Sequence, residues 1–72
     1  MAALELFSIV ALVEDLPDQG LLRGQVGTVV ERLAPGVYEV EFSDDHGHTY
    51  ASVGLSVNQL MRLYHRPKDH AA

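Results

Sequence analysis

Residues 20–33 read Gly-Leu-Leu-Arg-Gly-Gln-Val-Gly-Thr-Val-Val-Glu-Arg-Leu, with three glycines leading into a β-branched run. A loop rich in acid and proline precedes it, Glu14-Asp15-Leu16-Pro17-Asp18-Gln19. Glycine permits the reversals, and valine and threonine favour extended backbone. A strand, a long acidic loop, a glycine-marked turn and a valine-rich strand, in that order, begin a small curled β-sheet. This segment constrains the fold far more than the function.

The rest of the chain reads as β. Residues 7–13, Phe-Ser-Ile-Val-Ala-Leu-Val, form a short apolar run whose length and branching predict a buried strand, with Phe7 in the core. Residues 14–25 carry Pro17, Gly20 and Gly24 and show no period, so they are expected to be a loop. Residues 26–33 are the second strand, and Ala34-Pro35-Gly36 is a tight turn. Residues 37–42 alternate cleanly, Tyr38, Val40 and Phe42 toward the core and Glu39 and Glu41 toward solvent. A polar turn at residues 43–48 leads to a fourth strand over 49–55, where Gly54 suggests a bend or bulge. A single 3₁₀ turn at residues 56–59 and a closing strand at 60–64 complete the set. The predicted fold class is all-β: a small five-stranded, SH3-like, partly open barrel with one 3₁₀ turn before the last strand. Residues 1–65 form one domain and 66–72 a polar C-terminal tail.

Length and charge narrow the function. Seventy-two residues hold one core and no more. The chain has no cysteine, which excludes disulfides and thiolate metal sites and fits a reducing compartment. The start, Met1-Ala2-Ala3-Leu4-Glu5, lacks the basic region of a signal peptide, and no apolar run spans a bilayer, so the expected location is cytoplasmic, with no membrane. Ten acidic against five basic residues give a net charge of −5. That surface repels a phosphate polyanion, and the basic residues near the end, Arg62, Arg66 and Lys68, read as a solvated cluster.

Several fragments together carry a family resemblance: Ile9-Val10-Ala11-Leu12-Val13-Glu14-Asp15-Leu16-Pro17, then Gly20 through the Gly24-Gln25-Val26-Gly27-Thr28-Val29-Val30-Glu31 string, Tyr38-Glu39-Val40-Glu41-Phe42 and Gln59-Leu60. The chain resembles a family of small bacterial proteins, the domain of unknown function numbered 4926, over about residues 7–63. The resemblance implies an SH3-type barrel akin in fold to that of the nitrile hydratase β subunit. It implies no metal, since that enzyme's metal lies on a cysteine-bearing subunit. Ser8 departs from the acid the family favours at that position.

Four constellations are candidate sites. Asp44, Asp45, His46 and His48 offer carboxylates and imidazoles within five positions, the raw material of a metal site, although Asp-Asp-His-Gly-His is also what a polar hairpin turn looks like. Glu14, Asp15 and Asp18 make an acidic loop suited to a basic partner, with Arg23 beside them. Arg23 lacks the helix, lysine and Ser/Thr of a nucleotide loop. Tyr38, Tyr50 and Tyr64 lie on three strands and could line a peptide groove or close the barrel. No serine sits in a nucleophile elbow. The expected function is a non-catalytic protein-interaction module, a neutralising or regulatory partner of another protein, with Glu14, Asp15, Asp18, Arg23, Tyr38 and Tyr50 as its contact residues and no cofactor. The 47% hydrophobic content adds an expectation of homo-oligomers. The alternatives are a metal or small-ligand protein built on the 44–48 turn and, against the net charge, a nucleic-acid-binding barrel.

Overall fold

The computed structural model describes residues 4–64, so the tail at 66–72 lies outside the described residues. Five strands follow in chain order: β1 (Ile9–Leu12), β2 (Val26–Ala34), β3 (Val37–Ser43), β4 (Thr49–Ser56) and β5 (Leu60–Arg62). All pairings are antiparallel, in one five-stranded sheet of order β4-β3-β2-β1-β5. The fold is all-β, as expected, and the sheet is not closed. Two 3₁₀ turns interrupt it where one was expected: η1 (Pro17–Gln19) and η2 (Val57–Gln59). No helix among the described residues is long and apolar enough to cross a membrane.

The alternation of β3 organises the core. Tyr38, Val40 and Phe42 are fully buried, and they meet Val10, Leu12, Val29 and Leu55 on the inner face. Gly27 lies opposite Phe42. A Cβ at Gly27 would stand 2.7 Å from Val40 Cγ1, 2.8 Å from the Glu41 carbonyl oxygen and 2.9 Å from Phe42 Cδ1. Only glycine lets β3 and its aromatic ring come this close.

η2 is held by a capping box in which Ser56 Oγ accepts from Asn58 N and Gln59 Oε1 accepts from Ser56 N. It redirects the chain so that β5 pairs with β1, and Val13 N then donates to the Gln59 carbonyl.

Three expectations are corrected. Phe7 is not in the core but 70% exposed. Ser8 N donates to the Glu5 carbonyl, closing a turn ahead of β1, and Phe7 occupies its third position at φ 67°. That left-handed geometry turns the ring away from the interior. Gly54 is not a bulge, for it pairs with Glu39 in unbroken register. The register shifts fall between Val29 and Glu31, between Arg32 and Ala34, and between Phe42 and Ser43. The last strand is also shorter than expected, leaving Leu63 and Tyr64 beyond it.

Candidate interaction surface

The first loop has more order than its lack of period suggests. Leu16 and Leu21 form a bridge, and Leu21 is buried in the core, so an apolar pair anchors a polar excursion. Pro17 begins η1, where its missing N–H costs nothing, and Gly20 ends it at φ 71°. Glu14, Asp15, Asp18 and Arg23 are all exposed on this lobe. Two of the acids also shape it: Asp15 Oδ1 accepts from Arg23 N at 2.8 Å, and Glu14 Oε2 accepts from Gln59 Nε2 at 3.0 Å.

The tyrosines do not gather into one groove. Tyr38 is 1% exposed, a correction to its place among contact residues: its ring sits on the inner face of β3, and its hydroxyl accepts from Leu4 N at 3.1 Å. Tyr50 is about half exposed, and its hydroxyl accepts from Gln25 Nε2, tying the start of β4 to the end of the first loop. Tyr64 is exposed, with the Arg62 guanidinium 5.0 Å from its ring centre.

The turn at residues 44–48 uses its carboxylate on its own backbone. Asp44 Oδ1 accepts from both His46 N and His48 N, and Gly47 takes φ 81°. His48 Nδ1 lies 3.7 Å from Asp44 Oδ2, and the two imidazole centres are 6.4 Å apart. Among the described residues, no group of three or more His, Cys, Asp or Glu side chains could hold a metal ion.

A second acidic surface lies on the outer face of the sheet, where the sequence marked only a solvent side. Glu39 stands directly opposite Glu31 on β2 and Gly54 on β4; Glu41 stands opposite Thr28 and Ser52. Like charges directly across a strand pair disfavour each other, and Glu31 faces Glu39 across this one. Among the described residues, the one contact within 4.0 Å between a basic side-chain nitrogen and a carboxylate is His48 with Asp44, and no arginine guanidinium comes that close to a carboxylate. The acidic outer face therefore lacks an arginine partner among the described residues. On the other half of the outer face an apolar row crosses three strands, with Ala11 opposite both Val26 and Met61. Val26 and Met61 are each about half exposed.

Sequence reasoning missed Glu31, Glu39 and the position of β4. The alternation of β3 placed Glu39 and Glu41 on one face, but their neighbours come from strand order, which no local pattern encodes.

A family model described as a domain of unknown function (DUF4926) matches residues 6–62. No curated protein and no solved structure matches the chain.

Proposed function

The chain belongs to the DUF4926 family, a domain of unknown function, and from that premise we propose a non-catalytic protein-interaction module that offers an acidic surface to a basic protein partner. One observation carries the reading: among the described residues, the carboxylates of the outer face and first loop have no arginine guanidinium within ion-pair distance. A surface that sets Glu31 opposite Glu39 is suited to cations supplied from outside. Surface charges of this kind steer association and set specificity more than affinity, which fits a regulatory or neutralising companion of another protein. The cysteine-free composition supports a cytoplasmic setting.

The test is co-purification on the tagged full chain at low and high salt, beside a variant carrying Asp18→Lys, Glu39→Lys and Glu41→Lys. The reading expects a stoichiometric partner that the parent holds at low salt and the variant does not. The same proteins on both baits, or none on either, would count against it.

Self-association is a second reading, favoured by the half-exposed side chains of Val26 and Met61 on either side of the buried Ala11. Light scattering on the full chain, with Met61→Lys as the comparison, decides it: a dimer that the variant loses supports it, and a monomeric parent removes it.

A further inference from the structure

We propose that β4 accepts an added strand, an extended partner segment in which Lys or Arg alternates with β-branched residues. This rests on the acidic-surface reading above and names how the partner is held.

β4 is at the edge of the sheet and, among the described residues, pairs with β3 alone. Every second residue of an edge strand turns its N–H and C=O away from the sheet, where they pair with nothing but water. Edges are usually protected by shortness, by proline, by a central bulge or by charge. The other edge, β5, is three residues long and ends in Arg62. β4 runs eight residues, Thr-Tyr-Ala-Ser-Val-Gly-Leu-Ser, with no charge and no proline, and its one register shift lies at the Thr49 end. Among the described residues nothing covers it.

The side chains around this edge specify the occupant. Ser52 and Gly54 are small, and the Glu39 carboxylate reaches over them from β3. Its Oε2 accepts from Ser52 Oγ at 2.5 Å, and its Oε1 is 3.8 Å from where a Gly54 Cβ would be. Glu41 stands opposite Ser52. A sixth strand would lie about 4.8 Å beyond β4, and an outward Lys or Arg on it has the reach to meet these carboxylates. Leu33 Cδ1 comes to 3.1 Å of the same Gly54 position and offers apolar surface to the cation's aliphatic stem. On the inner side, the next strand would meet Ala51 and Val53, which favour β-branched side chains. A second copy of this chain fits less well. Symmetric β4 pairing would bring two Glu39 carboxylates together with no cation, in a chain of net charge −5.

The probe is a blocked peptide of alternating Lys and Val, titrated against the ¹⁵N-labelled full chain at low salt. Two controls share its length: one with Glu for Lys, and one with the same charge but N-methyl groups on two adjacent central residues, which blocks hydrogen bonding along both edges. Strand addition predicts binding of the Lys peptide, about tenfold or more weakening by N-methylation, no binding of the Glu peptide, and new exchange protection at alternate amides of Thr49–Ser56. Equal binding of both Lys peptides overturns strand addition but leaves the acidic-surface reading standing. No binding by either overturns both. A β4 edge already protected in a dimer of the chain alone would overturn the proposal in favour of a second copy.

Discussion

Replacing Gly27 with alanine tests the packing at the centre of the fold. A Cβ there meets three atoms below 3.0 Å, one of them the Glu41 carbonyl oxygen on the paired strand. A side-chain tip could swing aside, but a carbonyl in a ladder moves only if β2 and β3 separate locally. Overpacking of this kind costs about 1–3 kcal/mol, and a backbone clash puts Gly27→Ala near the top of that range. Relief of glycine's unfolded-state entropy returns roughly 0.5–1 kcal/mol. The net loss is about 2 kcal/mol, a large part of the roughly 4–11 kcal/mol expected for a domain of 72 residues. Gly54→Ala is the matched control, since its new Cβ meets only the Leu33 side-chain tip closely, at 3.1 Å, and should change stability by less than about 0.5 kcal/mol. Urea denaturation followed by far-ultraviolet circular dichroism reads both. With a slope of about 1 kcal/mol/M, Gly27→Ala should lower the midpoint by about 2 M. A midpoint within about 0.5 M of the parent, or a larger loss from Gly54→Ala, would refute the close approach of β3 to β2.

Three further substitutions probe individual features. Phe7→Gly places the residue that a left-handed turn position favours and should raise stability by about 0.5–1 kcal/mol; a fall in melting temperature would mean the exposed ring is packed against something. The Ser8 hydroxyl is buried without a hydrogen-bond partner, so Ser8→Ala should be neutral or stabilising by about 1 kcal/mol in the same melt, and a clear loss would reveal a missed partner. Asp44→Ala removes the acceptor for two backbone N–H groups and should cost about 1 kcal/mol with or without Zn²⁺; a parent melt that rises with Zn²⁺ and a variant melt that does not would restore the metal reading.

What the sequence disclosed follows from where the physics is local. The Tyr38-Val40-Phe42 alternation placed β3 and its buried face, because a strand with one wet side must repeat every second residue. Pro35-Gly36 and the 44–48 turn marked the two hairpins through backbone chemistry that depends on few neighbours. Phe7 failed because a turn cut the apolar run at its first residue, and a phenylalanine at φ 67° gives no signal in composition. In β2, adjacent Val29 and Val30 break the alternation where the register shifts, a sign of a bulge that the sequence does carry. The order hidden in residues 14–25 was signalled by Leu16 and Leu21, two large apolar residues in a polar loop. The site was the least legible. Glu31, Glu39 and the edge of β4 become neighbours only through strand order, which long-range pairing decides.

Amide hydrogen exchange on the full chain alone tests the central claim, that β4 is an open edge beside an acidic face. An open edge predicts two classes within Thr49–Ser56: slow exchange where the N–H bonds to β3, and exchange faster by orders of magnitude at the alternate residues facing water. Slow exchange at every position of the strand would mean the edge is already covered and would contradict the account.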